Sequence, residues 1–393
     1  MVYYSINSVF LTGATGVLGS YILKDLLRHS DCDIYCLVRS ENSELALRRL
    51  YAMFEVYDSS GKLLTEFLTR VKPVLGDVTL PKFGLSDNDY EKLAQRVEVT
   101  IHGAAYTNLF SRITKIEPIN VGGTINVVDF VLKTAQKRLT YISTYTVMGD
   151  KAFDPTVTFT ESDLDIGQKF DHMSYQQTKF IAEKYIRAAT DKGLIWNIVR
   201  PGQIFGDSQT GAYPQGQTSV SGLFYDIFKT VIETGVAIDS STYYFDVTPV
   251  DYVSRATLYL TLEEKTSFHT LHLVNPDYKS YTSIIRIIRD LGYNINFVSI
   301  EDYKRLVFDR ELTVDGNAYK SATIAAFRWW FKREGIDFTA SCHICCQKTL
   351  KMLVPKGVLC PPLDSALLGT YIDRGINLNY FPAVPKLMEV YAR

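Results

Sequence analysis

The sequence has no feature typical of a membrane-spanning, secreted or nucleic-acid-binding protein. No stretch approaches the ~20 consecutive apolar residues that a bilayer requires. Lys and Arg number 42 against 43 Asp and Glu, so there is no surplus of cations to offset phosphates. The first apolar run, Val9–Leu11, has neither a basic segment before it nor a cleavage site after it, so we expect no signal peptide. We predict a cytoplasmic protein that binds neither membranes nor nucleic acids.

Cysteine is also scarce, with six in 393 residues, which excludes a disulfide scaffold and suggests a reducing compartment. Three of the six, Cys342, Cys345 and Cys346, lie close together around His343. A zinc site needs four ligands, usually as two spaced pairs, and the order C-H-x-C-C does not match that spacing even with Cys360 added. We therefore predict no metal and interpret the cluster as a buried helix face. The absence of H-E-x-x-H argues against a zinc hydrolase.

What the sequence does contain is a regular alternation of apolar strands and amphipathic helices. Apolar runs at strand length are Val9–Leu11, Ile34–Val38, Val71–Leu75, Val97–Ile101, Leu139–Ser143 and Trp196–Val199. Helical periodicity follows Gly16 and recurs at Glu44–Phe54, Thr124–Thr134 and Tyr175–Ala189. Strands that are apolar throughout and alternate with helices indicate a parallel sheet covered on both faces. The prediction is an α/β fold with a Rossmann-type doubly wound sheet.

The pattern changes after residue 206. Residues 207–217 lack periodicity, and we expect a loop that closes over a substrate. Strands are predicted at Tyr243–Val247 and Thr270–Val274, and helices at Leu223–Thr234 and Tyr252–Leu262. The remainder is predicted to be mostly helical. We predict a nucleotide-binding domain of residues 1–206 and about 241–275. A smaller substrate-facing subdomain would comprise 207–240 and 276–393. The aromatic cluster 328–332 is interpreted as core.

A glycine motif, G-x-x-G-x-x-G, lies between the first strand and the first helix. Its glycines are Gly13, Gly16 and Gly19. Glycine there allows a tight turn and a close approach of backbone to a pyrophosphate, which the positive N-terminus of the helix attracts. Because a strand precedes the motif and a helix follows it, the motif predicts dinucleotide binding.

The end of the second strand distinguishes the two nicotinamide cofactors. A site for NAD carries an acidic residue there to hold the ribose 2′-hydroxyl. This chain has Arg39, whose fork of donors suits a 2′-phosphate, and Arg48 and Arg49 follow on the next helix. The sequence therefore favours NADPH over NADH.

Two further patterns suggest catalysis. Tyr175 and Lys179 form Y-x-x-x-K, and residues four apart on a helix share a face. A nearby ammonium favours a phenolate, so we expect a lowered tyrosine pKa and general acid catalysis near neutral pH. Thr144 follows the fifth strand and is our candidate for holding a substrate carbonyl oxygen. Its neighbour Ser143 is the alternative.

Together these residues resemble the extended short-chain dehydrogenase/reductase superfamily. In that superfamily Ser or Thr, Tyr and Lys are catalytic, and the Lys also holds the nicotinamide ribose. Asn120, in Asn120–Thr124, resembles a residue that positions the lysine and a water molecule. His102–Ala105 resembles the stretch that passes under the cofactor.

A narrower resemblance covers nearly the whole chain. Its segments are Leu37–Arg39, Val74–Val78, Arg200–Ile204, Gly206–Gly211, Pro249–Val253 and Gly357–Pro362. They are similar to those of thioester reductases, the terminal reductase domains of nonribosomal peptide synthetases, carboxylic acid reductases and aminoadipate reductases. The catalytic residues implied are Thr144, Tyr175 and Lys179. The cofactor-binding residues implied are Gly13, Thr15, Gly16, Val17, Leu18, Gly19, Arg39, Arg49, Asp77, Val78, Ala104, Asn120, Ser143, Tyr175, Lys179, Pro201 and Ile204.

The resemblance implies a specific reaction. A thioester on the phosphopantetheine arm of a carrier protein would be reduced by NADPH to an aldehyde, and a second hydride could carry the aldehyde to an alcohol. Two enzyme alternatives stay open at this point, a fatty acyl-CoA reductase and a nucleotide-sugar epimerase or dehydratase. A regulator that senses NADPH without turnover is the alternative from another class, although such proteins commonly lose the tyrosine or the lysine.

Overall fold

A computed structural model describes residues 6–109, 111–214, 222–263, 266–309, 313–314, 317–318 and 340–384. The strands are β1 Ser8–Thr12, β2 Asp33–Val38, β3 Val71–Leu75, β4 Val99–His102, β5 Arg138–Ile142, β6 Thr158–Phe159, β7 Ile195–Pro201, β8 Ile204–Phe205, β9 Val236–Ile238, β10 Thr248–Pro249, β11 His269–Leu273, β12 Asn296–Val298, β13 Thr313–Val314, β14 Asn317–Ala318 and β15 His343–Ile344. The helices are α1 Val17–His29, α2 Ser43–Phe54, α3 Leu64–Arg70, α4 Asp87–Arg96, α5 Ile113–Glu117, α6 Gly123–Val131, α7 Ser174–Ala188, α8 Leu223–Thr234, α9 Val250–Leu262, α10 Tyr281–Asp290, α11 Ile300–Tyr303, α12 Gln347–Leu353 and α13 Ser365–Asn377. Shorter helical turns are Pro81–Gly84, Pro118–Gly122, Tyr145–Phe153, Ala189–Lys192, Lys304–Asp309 and Val354–Lys356.

Within these residues, the main sheet has seven parallel strands in the order β11-β7-β5-β4-β1-β2-β3. The chain moves outward from β1 through β2 and β3, and then crosses to the other side of β1 to add β4, β5, β7 and β11. The reversal leaves β1 between β2 and β4. At such a switch point a crevice opens beyond the carboxyl ends of the strands, and ligands bind there. The predicted Rossmann-type doubly wound sheet is confirmed.

Each face of the sheet is covered by its own apolar cluster, because side chains alternate along a strand. Val9 and Leu11 point to one face and pack with α1, α2 and α9. Phe10 points to the other face and packs with α4, α6 and α7. All three side chains are fully buried. Burial on both faces explains why the sequences of these strands are continuous apolar runs.

The smaller subdomain is helical, as predicted, and has an aromatic core. The Phe205 ring lies 5.5 Å from that of Phe228 on α8 and 5.6 Å from that of Tyr371 on α13. However, not all of 276–393 packs there. Leu353 and Val358 join the core beside α1 and α9 instead. The stretch around these two residues therefore packs on the nucleotide-binding side, and the remaining division into domains stays a prediction.

The strand predicted at Tyr243–Val247 is wrong. The segment is an irregular connection, with a single bridge from Tyr244 to Ser280. Its cause is Asp246, whose buried carboxylate accepts hydrogen bonds from Gln203 N at 2.7 Å and Asn275 N at 2.9 Å. The carboxylate turns inward and satisfies backbone donors. These contacts replace the strand-to-strand hydrogen bonds that the apolar pattern suggests.

The helix predicted around the clustered cysteines is also wrong, because β15 runs parallel to β6 there. Cys342 N donates to Ala152 O at 3.0 Å, and Cys345 N donates to Phe159 O at 2.8 Å. Cys342 is buried, and its thiol contacts Met148 Sδ at 3.3 Å. All six cysteines are free thiols.

The predicted aromatic cluster 328–332 lies outside the described residues. In the part of the chain that is described, every helix is too short or too polar to cross a bilayer.

Candidate functional site

The glycine motif forms the elbow between β1 and α1. Gly13 has φ +81°, and a Cβ there would lie 2.6 Å from Ala104 N. A Cβ on Gly19 would lie 2.0 Å from Gly13 O. Gly16 N donates to Gly13 O at 2.9 Å, and α1 begins one residue later. The backbone donors of the helix N-terminus therefore face the switch point, which suits a diphosphate.

The other predicted residues of the elbow differ in how far their side chains are exposed to a ligand. Thr15 and Val17 are half-buried at its rim. Leu18 is part of α1 and its side chain is buried in the core, so only its backbone is available to a ligand.

Three arginines meet beyond the end of β2. Arg39, Arg48 and Arg49 line one open hollow of about 630 Å³. The Arg49 guanidinium donates to Arg39 O, which fixes the turn between β2 and α2. The Arg39 side chain is 71% exposed, with its Nη1 3.9 Å from Asp77 Oδ2. The grouping predicted from sequence is present, and it concentrates positive charge beyond the end of β2.

Asp77 and Val78 follow β3 in a tight turn. Asp77 Oδ1 accepts from both Thr79 N and Thr79 Oγ1 at 2.9 Å. Val78 is buried, and its carbonyl accepts from Asn126 Nδ2 at 2.7 Å. Asp77 remains at the rim beside Arg39, whereas the Val78 side chain is part of the core.

A buried histidine connects β1, β4 and α6. Thr12 Oγ1 lies 2.7 Å from His102 Nδ1, and His102 Nε2 lies 3.1 Å from Thr124 Oγ1. Burial lowers the pKa of His102 to about 3, and the charge of Lys179 acts in the same direction. Ala104 N donates to Thr12 Oγ1 at 3.2 Å. The neutral ring therefore holds the stretch that passes beside the glycine elbow.

Asn120 is held by hydrogen bonds within the protein, and its predicted contact with a cofactor stays a prediction. Its side chain is buried in the π-helical turn Pro118–Gly122. Asn120 Oδ1 accepts from Tyr106 N at 2.7 Å, and Nδ2 donates to Thr178 Oγ1 at 3.0 Å. Both ends of the amide are occupied by the protein. Asn120 instead ties this turn to α7, next to Lys179 in sequence.

The predicted catalytic residues converge at the end of β5. Lys179 is buried on α7, and its Nζ donates to Ile142 O at 2.7 Å. Thr144 follows two residues later as the N-cap of the 3-10 segment, and its Oγ1 lies 2.9 Å from Thr146 Oγ1. Tyr175 is half-buried one turn before Lys179, and among the described residues its hydroxyl has no hydrogen-bond partner. An ammonium and a hydroxyl thus lie at the carboxyl end of β5, and the phenol of Tyr175 belongs to the same helix one turn before the ammonium.

The predicted lowering of the Tyr175 pKa is not found. Burial raises the pKa of this phenol, because a phenolate is poorly solvated there. The perturbed cation is Lys179, whose pKa burial lowers to about 7 while the carboxylate of Glu183 opposes that shift. In the protein alone, Tyr175 is therefore a neutral donor, and the proton that titrates near neutral pH belongs to Lys179.

Ser143 differs from Thr144 because its hydroxyl bonds to a buried ion pair. Ser143 Oγ donates to Glu183 Oε1 at 2.5 Å. Arg200 binds both carboxylate oxygens of Glu183, at 3.0 and 2.8 Å, and both side chains are fully buried. The Ser143 hydroxyl, predicted as a cofactor contact, is therefore bound to a buried carboxylate, whereas the Thr144 hydroxyl bonds only to its neighbour Thr146. The sequence reasoning missed Glu183, although it lies four residues after Lys179 on the same helix face.

The remaining predicted residues, Pro201 and Ile204, bracket the turn after β7. Pro201 ends β7, and Ile204 begins β8, half-buried and paired with Thr248. Both lie at the same edge as β5, to which β7 is hydrogen-bonded.

Of the predicted loop 207–217, residues 207–214 are described and have no regular secondary structure, and closure over a substrate stays a prediction. Asp207 accepts from the hydroxyl of Tyr21 and from Thr210 N at 2.7 Å. Ser208 Oγ donates to Asp251 Oδ2 at 2.9 Å. These buried contacts anchor the segment to α1 and α9. Residues 215–217 lie outside the described residues.

No group of three or more potential metal ligands occurs within the described ranges.

This combination of glycine elbow, doubly wound sheet and Y-x-x-x-K helix defines an NAD(P)-dependent oxidoreductase. The comparisons with known proteins then give the family. The model of an NAD-binding family described as "Male sterility protein" matches residues 11–257, more than half of the chain, which therefore belongs to that family.

Several relatives are reductases or parts of peptide synthetases. The chain is 28% identical to a linear gramicidin synthase of Brevibacillus parabrevis, over 93% of this chain and 7% of that protein. It is 28% identical to L-2-aminoadipate reductase of Saccharomyces cerevisiae, over 76% of this chain and 22% of that enzyme. The chain thus spans a small part of these relatives.

A solved structure matches almost the whole chain. It is the terminal R domain of the myxalamid PKS–NRPS biosynthetic pathway, 28% identical, with a TM-score of 0.83. The match covers 97% of this chain and 93% of that one. The predicted membership among terminal reductase domains is thereby confirmed.

Proposed function

We propose that this protein releases a carrier-bound acyl or peptidyl thioester by NADPH-dependent reduction, giving an aldehyde. The observation that carries the proposal is that Lys179 and Thr144 meet at the carboxyl end of β5, two strands from β1 and its glycine elbow, with Tyr175 one turn before Lys179 on α7. The relatives named as reductases or peptide synthetases support this reaction class.

The residues present fit NADPH. The elbow has no room for a Cβ at Gly13 or Gly19, so backbone can approach a diphosphate there. The hollow of Arg39, Arg48 and Arg49 offers guanidinium groups to a 2′-phosphate. When bound, NADPH supplies the hydride for the thioester carbonyl carbon.

The chain's own residues would stabilise the charge that develops on the carbonyl oxygen. Thr144 and Tyr175 would donate hydrogen bonds to this oxygen. In enzymes generally, removing one such donor lowers the rate by about 10²–10³-fold. Because burial keeps Tyr175 neutral, its proton is available for donation. Lys179 would hold a positive charge behind the phenol and strengthen that donation. The hemithioacetal formed would then lose the thiol and leave the aldehyde.

The partner proposed is a carrier protein whose phosphopantetheine arm bears the thioester. This arm is long and thin enough to bring an acyl group into a crevice at the edge of a sheet. The synthetase relatives, of which this chain spans only a part, support a partner of this kind.

The experiment that tests the proposal supplies NADPH with an acyl-pantetheine thioester and follows the nicotinamide absorbance and the released product. Oxidation of NADPH with release of an aldehyde is expected. If no thioester causes oxidation of NADPH but a sugar nucleotide is turned over, an epimerase is favoured and the proposal is overturned.

A further inference from the structure

Asp246 is a buried carboxylate that joins three segments near the end of β7. Its Oδ2 accepts from Gln203 N at 2.7 Å and from Thr248 Oγ1 at 2.8 Å. Its Oδ1 accepts from Asn275 N at 2.9 Å. Gln203 belongs to the turn after β7, residues 201–204, and Asn275 follows β11. These contacts are all with the protein itself, so Asp246 is not one of the groups that the proposed reaction uses directly.

The turn after β7 fits closely around this carboxylate. A Cβ on Gly202 would lie 1.7 Å from Asp246 Oδ2 and 2.8 Å from Thr248 Oγ1, so only glycine has room there. Gly202 N donates to Leu273 O at 2.9 Å, and Thr248 N donates to Gln203 O at 2.9 Å. The turn is therefore held both by β11 and by the segment that contains Asp246.

Asp246 carries a charge at neutral pH. Burial raises the pKa of its carboxyl to about 6, while the hydrogen bonds from Asn275, Thr248 and Gln203 oppose that rise. An ionised carboxylate only accepts, and hydrogen bonds to it are about twice as strong as those between neutral groups. A neutral side chain at this position would therefore hold the backbone of the turn less firmly.

The turn is connected to the proposed oxyanion donor. Gln203 Nε2 donates to the hydroxyl of Tyr145 at 3.5 Å, and Tyr145 directly follows Thr144. The strands beside them are paired as well, because Ser143 N donates to Val199 O at 2.8 Å. A shift of the turn would therefore move the segment that carries Thr144.

We propose that Asp246 is a positioning residue for thioester reduction, which fixes the turn after β7 and, through Gln203 and Tyr145, the position of Thr144. The inference rests on the proposed function and adds a residue that the reaction needs for geometry alone. Displacing a catalytic group by about 1 Å can cost ~10²-fold in rate. Loss of the carboxylate should therefore lower kcat and leave NADPH binding nearly unchanged, since the glycine elbow at β1 lies three strands from β7.

The test measures kcat and KM for an acyl-pantetheine thioester in Asp246→Ala, with kcat counted per NADPH-binding site so that only folded protein contributes. We expect kcat to fall about 10- to 100-fold, while the Kd of NADPH, measured by fluorescence, stays close to that of the wild type. Asp246→Asn keeps an acceptor for Gln203 N and loses the acceptor for Asn275 N. Its kcat should therefore lie between those of the wild type and Asp246→Ala, a graded rescue that a purely structural role would not give.

Two further variants separate position from stability. Gly202→Ala displaces the turn without removing the carboxylate, because its Cβ takes the space of Asp246 Oδ2, and it should lower kcat in the same way. Asp25→Ala is the matched control, because Asp25 on α1 is also buried, burial raises its pKa to about 6, and it accepts from Ser254 Oγ at 2.7 Å. This control should lower the melting temperature and keep the wild-type kcat.

The remaining outcomes contradict the assignment. Wild-type kcat in Asp246→Ala and Gly202→Ala proteins that bind NADPH would overturn it. A loss of kcat in Asp25→Ala as large as that in Asp246→Ala would do the same, because the effect would then follow stability. If Asp246→Ala does not fold, wild-type kcat in both Asp246→Asn and Gly202→Ala overturns the assignment. If the wild type binds NADPH but oxidises it with no thioester, the proposed function itself is wrong, and the role of Asp246 falls with it.

Discussion

At the scale of single residues, Glu183 links the parts of the candidate active site. Its carboxylate accepts from Ser143 and binds Arg200, and it lies one turn beyond Lys179. Lys179 donates to Ile142 O, so the stretch from Ile142 to Thr144 is held from two points of α7. The charged groups that face this region are Lys179, Glu183, Arg187 and Arg200, with the phenols of Tyr141 and Tyr175 and the neutral ring of His102.

Glu183→Gln should move the pH dependence of thioester reduction. The pKa of Lys179 is lowered to about 7 by burial, and Glu183 opposes that shift. Lys179 is protonated below this pKa, so activity that needs the ammonium is lost as pH rises through it. Without Glu183, and with Arg200 unpaired, the pKa falls further, and the alkaline limb of kcat/KM should shift to lower pH.

The shift should be about one pH unit, corresponding to ~1.4 kcal/mol. The exposed Glu55→Gln is the matched control and should leave the profile in place. If Glu183→Gln binds NADPH normally and the alkaline limb of its kcat/KM profile stays at the wild-type pH, this role for Glu183 is refuted.

Arg39→Asp should reverse the cofactor preference. Arg39 is exposed beside Arg48 and Arg49 in an open hollow, so the substitution removes a guanidinium without disturbing the core. The carboxylate would repel a 2′-phosphate and accept from a 2′-hydroxyl. We expect KM for NADPH to rise at least ~10-fold and that for NADH to fall, while the distant charge reversal Arg305→Asp changes neither. Unchanged selectivity would argue against the NADPH assignment.

At the scale of secondary structure, three elements were predicted almost residue for residue. The β3 strand and α8 helix agree with their predicted bounds, and α7 differs by one residue at each end. Their apolar periodicity is set by burial against neighbouring elements along the chain. By contrast, β6 and β15 are two residues each and pair across a long stretch of sequence, which leaves no local pattern.

Other elements had a local signal that the sequence reasoning overlooked. Helix α4 begins after Ser86, whose hydroxyl caps Asp89 N, and α10 begins after Ser280, whose hydroxyl caps Ser283 N. Serine before an amphipathic run is a usual start signal. The pairing of Tyr175 with Lys179 was readable because its spacing lies within one helix, whereas Gln203 and Glu183 acquire their partners only through the fold.

Gly19→Ala should damage the elbow between β1 and α1. The added Cβ would lie 2.0 Å from Gly13 O, so the helix start must move away from the strand. Overpacking of this kind costs about 1–3 kcal/mol. We expect a lower melting temperature and an NADPH Kd raised at least ~10-fold.

Gly122→Ala provides the comparison, because nothing lies within 4 Å of its added Cβ. This variant should keep wild-type NADPH binding and melt at the same temperature or slightly higher, since alanine favours the helical backbone. Equal NADPH affinity in the Gly19→Ala protein would contradict the assignment of the elbow.

At the scale of the whole molecule, the C-terminal part is joined to the sheet by a buried histidine. His272 lies on β11, and its Nε2 is 3.1 Å from Arg200 Nη1. Its Nδ1 donates to Cys345 O at 2.8 Å. Burial, reinforced by the charge of Arg200, lowers the pKa of His272 to about 3. The sequence pattern placed His272 in a strand, and only the fold shows that it connects three distant segments.

His272→Gln should make the protein less sensitive to acid. The pKa of His272 in the folded state lies below the unfolded value of ~6.5, so the unfolded chain takes up the proton first. The stability that depends on a neutral ring is therefore complete above pH 6.5 and is lost as pH falls toward 3.

Between pH 7 and 5 the titration of His272 should lower the free energy of unfolding of the wild type by about 2 kcal/mol. The fall in melting temperature over this interval should be smaller in His272→Gln, whatever its stability at pH 7. The exposed His343→Gln should behave as the wild type does. An equal fall in His272→Gln and the wild type would contradict the buried, neutral role of this histidine.

The central claim, that the phenol of Tyr175 donates to a thioester undergoing reduction, is tested most directly by mass spectrometry of what is released from a thioester-loaded carrier protein. With NADPH, the wild type should release the aldehyde or the alcohol derived from it. Tyr175→Phe should release it at least ~100-fold more slowly while binding NADPH with unchanged affinity. Release at the wild-type rate by Tyr175→Phe, or release only of the carboxylic acid by the wild type, would contradict the claim.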